Sequence, residues 1–154
     1  MKKVQGLFTV SRKCQYALRA LYELAMRGGN EPVAVKTIAN SQGIPQRFLE
    51  TILNELKQNG FVVSVRGKGG GYLLTKRPEQ IEIGRIISFI EQNQVVSDGS
   101  PAGGTLPVPG DFAFEKLWSG TEKVLLEALY RKTLKNLLDD EARCRSAFVG
   151  NYII

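Results

Sequence analysis

Apolar residues recur at three- and four-residue intervals over most of this chain, and that spacing predicts its elements. Ala17, Leu18, Leu21, Leu24 and Ala25 fall on one face of a helix running to about Arg27, with Ser11 placed to cap its start. Gly28-Gly29-Asn30 ends it, glycine supplying a left-handed C-terminal residue. A second helix over about residues 35–42 turns Ile38 and Ala39 inward, and Gly43 stops it. Pro45 opens a third helix where its missing N–H costs nothing. Phe48, Leu49, Ile52, Leu53 and Leu56 make its predicted buried stripe, and Asn59-Gly60 ends it. The helical spacing then gives way to two β-like runs, residues 61–65 and 72–75. They are joined by Arg66-Gly67-Lys68-Gly69-Gly70-Gly71, a glycine-rich basic tip that predicts a hairpin.

Helical spacing returns at residues 83–92 with Ile86, Ile87, Phe89 and Ile90. Residues 93–113 show no period and carry four glycines and three prolines, the composition of a long loop. A long helix follows over 114–131, with Leu117, Trp118, Val124, Leu125, Ala128 and Leu129 at its apolar positions. Thr133 is placed to cap a last helix containing Leu134, Leu137 and Leu138. Two helices separated by the Gly43 turn, followed by a hairpin, read as a winged helix-turn-helix. The expected fold class is therefore mainly α with a small β-hairpin wing, extended by a long C-terminal dimerisation helix. The expected parts are a winged helix-turn-helix DNA-binding domain over 1–82, dimerisation helices over 83–144 and an apolar tail over 145–154. The long helix has little left to cover in its own subunit, which predicts a homodimer through Leu117, Trp118, Val124, Leu125, Ala128 and Leu129.

Charge sharpens this picture. Residues 1–85 hold fourteen Lys and Arg against six Asp and Glu, a surplus of eight, while residues 86–154 hold seven against nine. The net charge of +6 thus belongs to the first part, the footprint of a polyanion binder or of a generic basic surface. No apolar run approaches the roughly 20 residues that span a bilayer. The opening Met1–Phe8 stretch lacks the apolar core and cleavage pattern of a signal peptide. Two cysteines make no disulfide framework, and the expected location is cytoplasmic, with no membrane partner.

In a helix-turn-helix, the N-terminal residues of the second motif helix touch base edges in the major groove. Removing the buried stripe leaves Gln46, Arg47, Glu50, Thr51 and Asn54 outward. Arg suits guanine, Glu accepts from cytosine, Gln and Asn suit adenine, and a Thr methyl meets a thymine methyl. The same face also suits an ordinary solvated helix, so it does not decide alone. The wing adds Arg66 and Lys68 on the glycine-rich tip, with Lys76 and Arg77 at its base. Glycine permits close approach to a phosphate, and Arg can enter a narrow minor groove. The run Gly67–Gly71 has the look of a nucleotide-binding glycine loop, but it leads into a strand rather than opening a helix. Backbone phosphate contacts are expected from Ser11, Lys13, Lys36 and the wing.

At this point the chain resembles the bacterial Rrf-type winged-helix transcription regulators, a family that includes IscR, NsrR and CymR. The resemblance rests on Tyr-Ala-Leu-Arg-Ala-Leu (16–21), Ile-Ala-Asn-Ser-Gln-Gly-Ile (38–44) and Phe-Leu-Glu (48–50). The most specific stretch is Val-Arg-Gly-Lys-Gly-Gly-Gly-Tyr (65–72), and residues 117–134 resemble the family's dimerisation segment. The resemblance implies a homodimer on a partly palindromic double-stranded operator, and the regulator is expected to be a repressor. It implies base contacts from Arg47, Glu50 and Thr51 and a minor-groove contact from Arg66. The DNA-facing set is Ser11, Lys13, Lys36, Gln46, Arg47, Glu50, Thr51, Arg66, Gly67, Lys68, Gly69, Gly70 and Tyr72. Relatives often carry Ser where this chain has Arg47 and Gln where it has Thr51, so its operator is its own.

Well-known relatives hold an iron–sulfur cluster through three cysteines in the loop before the long helix. Here the 93–113 loop has no Cys or His, and the chain has no His at all, so no cluster and no other cofactor is expected. Cys14 shares the apolar face of the first helix and reads as a small core residue. Cys144 fits either an incidental tail cysteine or a redox thiol, since Arg143 and Arg145 flank it and nearby cations favour a thiolate. The tail 148–154 is apolar enough to pack across a dimer or close a pocket for an unknown small-molecule effector. No nucleophile–base pair or ligand cluster points to an enzyme. The alternative function is a winged-helix protein-interaction module without specific DNA binding.

Overall fold

The structure, a computed structural model, describes residues 10–28, 30–92 and 108–150, with side chains as far as Phe148. The chain divides into two compact units, residues 1–75 and residues 76–154. Helix α1 (Arg12–Met26) begins where the Ser11 hydroxyl oxygen accepts the Cys14 N–H at 3.1 Å, the capping bond its sequence predicts. Cys14, Ala17, Ala20, Leu21 and Leu24 turn inward from it. Helix α2 (Val35–Gln42) ends at Gly43, whose φ of 64° lies in the left-handed region that only glycine enters without a Cβ penalty. That reversal drops the chain into α3 (Gln46–Gln58), and the three helices pack on one another.

From α3, Leu49, Leu53 and Leu56 reach the core with no exposed surface. Phe48 does not, and the stripe predicted to include it must be corrected: the residue is 64% exposed. It stands roughly a quarter turn from the centre of the leucine stripe, so the leucines can be buried without it. Strands β1 (Val62–Val65) and β2 (Gly71–Leu74) form the antiparallel hairpin, with Val62 opposite Leu74 and Val65 opposite Gly71. A third strand position comes from before α2. The Val33 N–H donates to the Tyr72 carbonyl at 3.0 Å, and the Tyr72 N–H donates back at 2.9 Å.

One buried charge sits among these apolar contacts. Glu23 on α1 has no exposed surface and accepts hydrogen bonds from Arg27 Nε at 2.6 Å and Gln42 Nε2 at 2.7 Å. It thereby ties α1 to the end of α2. Burial pushes its carboxyl pKa up, but hydrogen bonds from Gln42, Arg27 and Ser41, with the Arg27 charge, outweigh burial and hold it below the ordinary value.

The second unit starts earlier than the boundary at residue 82 placed it. A 3-10 turn (Pro78–Gln80) leads to Ile81, whose carbonyl accepts the Leu134 N–H at 2.9 Å, while the Ile83 N–H donates to the Lys132 carbonyl at 2.8 Å. These bonds bind residues 76–82 to the C-terminal helices. Helix α4 (Ile83–Gln92) buries Ile83, Ile86, Ile87 and Ile90. Helix α5 (Asp111–Tyr130) begins inside the predicted loop, because the Asp111 carboxylate accepts the Val108 N–H at 2.8 Å and closes the turn. Gly84 lets α5 come close, since a Cβ there would lie 2.7 Å from the Tyr130 ring, and Tyr130 donates to Ser88 at 3.1 Å.

Helix α6 (Leu134–Gly150) takes in the first six residues of the predicted tail. An Arg143–Asp140 ion pair and an Arg145–Glu141 pair at 3.0 Å support it there. The loop residues 93–107 and the tail residues 151–154 lie outside the described residues. No helix among the described residues is long and apolar enough to cross a membrane.

Replacing Glu23 by Gln should cost about 1–3 kcal/mol at neutral pH, because Arg27 then faces a neutral acceptor. The folded carboxyl binds its proton less tightly than the unfolded one. The lost stability is therefore fully present above the ordinary carboxylate pKa and disappears as pH falls through the lowered value. Urea unfolding of both proteins between pH 7 and pH 3 checks this, and a difference that stays constant with pH contradicts it.

Candidate nucleic-acid interface

Burying Leu49, Leu53 and Leu56 fixes the rotation of α3 and leaves Gln46, Arg47, Glu50, Thr51 and Asn54 exposed, as expected. Two hydrogen bonds organise this face. Gln46 Nε2 donates to Glu50 Oε1 at 2.9 Å, and the Thr51 hydroxyl donates to the Arg47 carbonyl at 3.4 Å. The first holds a carboxylate in place, and the second turns a hydroxyl back onto its own helix. Asn54 stands one turn beyond Glu50 on the same side.

The residues expected to meet phosphates have different surroundings. Ser11 is engaged as the α1 cap. Lys13 Nζ lies 2.7 Å from Glu55 Oε2, an ion pair joining α1 to α3 that is not aligned as a hydrogen bond. Lys36 is exposed on α2. Arg66, Gly67, Lys68 and Gly69 are exposed at the wing tip, while Gly70 and Tyr72 are half-buried. Among the described residues, no ion pair neutralises Arg47, Lys36, Arg66 or Lys68.

The wing glycines also serve the fold. The Gly70 N–H donates to the Gly67 carbonyl at 3.0 Å, closing the tip. A Cβ on Gly71 would lie 2.2 Å from the Val33 carbonyl oxygen, so the third strand position requires glycine there.

One feature escaped the sequence reading. A hollow between α1 and α3 is lined by Tyr16, Pro45, Phe48, Thr51 and Ile52, with Arg12 and the Lys13–Glu55 ion pair also bordering it. Its only sequence signal was an aromatic residue at the margin of the α3 stripe.

In the second unit the positions expected to dimerise stand largely in solvent. Leu117 is 54% exposed, Trp118 64% and Val124 68%, with Ala128 exposed and Leu125 and Leu129 half-buried. Cys14 is buried and Cys144 exposed. Arg143 and Arg145, whose charges were expected to act on Cys144, are paired with Asp140 and Glu141.

A family model described as "Rrf2: Iron-dependent Transcriptional regulator" matches residues 10–140. The chain belongs to the Rrf2 family. The HTH-type transcriptional regulator IscR of Cronobacter sakazakii is 34% identical over 122 residues, covering 79% of this chain and 67% of that protein. Among solved structures, T. potens IscR superposes with a TM-score of 0.69 at 32% identity, covering 87% of this chain and 88% of its own. CymR, the global cysteine regulator of B. subtilis, superposes with a TM-score of 0.68 at 30% identity, covering 85% and 96%. The winged-helix fold and the Rrf2 resemblance read from the sequence both stand.

Gly71→Ala should lower stability by about 1–3 kcal/mol, since the new methyl group must displace the Val33 backbone. Thermal unfolding measures it, and an unchanged melting temperature would show that the Val33–Tyr72 pairing is dispensable.

Proposed function

We propose that this Rrf2-family protein binds double-stranded DNA specifically as a homodimer and represses transcription from a partly palindromic operator. The observation that carries this reading is the basic winged helix. Its α3 presents Arg47, Glu50 and Thr51 outward, and its wing presents Arg66 and Lys68 without acidic partners among the described residues. Phosphates favour such unpaired cations, and base edges favour the mixed polar set on α3. Ser11, Lys36 and the wing position the protein, while α3 specifies the sequence.

The dimer reading is supported by α5. A helix carrying exposed Phe112, Phe114, Leu117, Trp118 and Val124 on a water-facing surface is accounted for by a second copy. Gly120, with nothing within 4 Å of an added Cβ, leaves room for close approach.

The family description includes iron, and the donors of this chain do not fit a thiolate-ligated cluster. Cys14 is sealed in the first unit's core, Cys144 stands alone on α6, and the sequence has no histidine. The proposed regulator therefore works without a cluster of that kind, and its signal reaches it by another route.

Selection of genomic DNA fragments by the purified protein tests the central reading. A reproducible partly palindromic motif is the expected result, and salt-sensitive binding with no sequence preference would refute it. On the selected site, Arg66→Ala should weaken binding roughly tenfold or more at fixed salt and reduce the salt slope by about one. Unchanged affinity would take the wing out of the mechanism. Leu117→Glu combined with Val124→Glu should give a monomer by sedimentation, and a persistent dimer would move the interface elsewhere.

A further inference from the structure

Phe48 is the third residue of α3, yet it is 64% exposed. On a helix otherwise sorted into buried leucines and exposed polar residues, this large apolar group is out of place in water. Exposing it has a cost that nothing in the first unit's core explains, since Leu49, Ile52, Leu53 and Leu56 already fill the buried stripe.

Its neighbours indicate what would cover it. Phe48 and Thr51 line the same hollow, one turn apart on α3. The Thr51 hydroxyl is turned back onto the Arg47 carbonyl, so the group this side chain presents outward is its methyl. Two apolar groups thus stand together in the first half of the helix that meets base edges, beside Arg47 and Glu50. Of the charged groups lining the hollow, Lys13 and Glu55 pair with each other at 2.7 Å, which leaves Arg12 as a surplus cation. An apolar patch bordered by cations and by hydrogen-bonding base readers does not complement a lipid tail or a hydrophobic peptide. It complements the one apolar group that the major groove displays among phosphates and polar base edges, the 5-methyl of thymine.

We infer that Phe48 and Thr51 form an apolar reader of a thymine 5-methyl group in each operator half-site, next to the base read by Glu50. Gln46 assists from the other side. By occupying Glu50 Oε1 at 2.9 Å, it leaves the second carboxylate oxygen to accept from a cytosine amino group. The half-site is accordingly expected to place a thymine close to a cytosine. This inference rests on the DNA-binding reading proposed above.

The test uses the full-length protein and its selected operator, with each thymine of the half-site replaced in turn by deoxyuridine, which differs only in lacking the methyl. One position per half-site should weaken wild-type binding about fourfold, the worth of one methyl group taken out of water. Phe48→Ala and Thr51→Ser should bind the thymine operator more weakly and be indifferent to deoxyuridine at that position. Thr51→Val, which keeps a methyl and drops the hydroxyl, should retain the wild-type response. The inference is overturned if no thymine methyl matters to wild type, or if Phe48→Ala keeps the full deoxyuridine penalty. It is also overturned if Phe48→Ala melts well below wild type while Thr51→Ser keeps the full deoxyuridine penalty, for Phe48 would then serve the fold and not the thymine. Failure to select any DNA sequence would refute the DNA-binding reading itself, whereas a clear operator without methyl dependence would refute the inference alone.

Discussion

Leu49, Leu53 and Leu56 have no surface in water, and α3 can bury them only by lying against the apolar face of α1. That face is partly alanine, with Ala17 and Ala20 fully buried, so the two helices can approach closely. A fully buried leucine contributes about 1.5–3 kcal/mol, and three of them in register fix α3 about its own axis. Once that rotation is set, the outward side of α3 follows from the helical period. Arg47, Glu50 and Thr51 face outward because the leucines face inward, so the rotation that forms the core also aims the candidate interface.

The buried carboxylate of Glu23 complements this constraint. The leucines orient α3, while Glu23 fastens the end of α2 to α1 through Gln42. A hydrophobic contact at that point would tolerate sliding, but a short hydrogen bond from Gln42 to a carboxylate that Arg27 steadies from its own helix does not. The angle between the helices of the motif therefore rests on a directional interaction, whereas the interior rests on a non-directional one.

Most of the fold was legible because its signals were local. Ser11, Gly43 and Pro45 mark helix ends by the chemistry of the adjacent backbone, and both α2 and α4 lie where the spacing put them. The failures arose where a residue's identity and its angular position disagreed. Phe48 is apolar, and its type suggested the core, but its place on the helical circle belongs to the edge. Glu23 drew no reading from the sequence, because its partner Gln42 lies nineteen residues away, a separation that no local pattern reveals. The candidate site was legible where it consists of exposed polar residues on a helix whose buried side is obvious. The hollow beside it was not, since it depends on how two helices meet. The helix boundaries at Asp111 and Gly150 depend on side-chain bonds and ion pairs that composition does not show.

The paired backbone of Val33 and Tyr72 makes the wing part of a three-position sheet whose outer member leads directly into α2. The wing is thus spliced into the motif rather than appended to it. For anyone exchanging parts between regulators, the natural cassette runs from Val33 through Leu74. A shorter graft of the hairpin alone would sever the seam that holds it. Helix α3, by contrast, can change its outward residues without touching that seam, so the two elements of the candidate interface differ in how freely they can diverge.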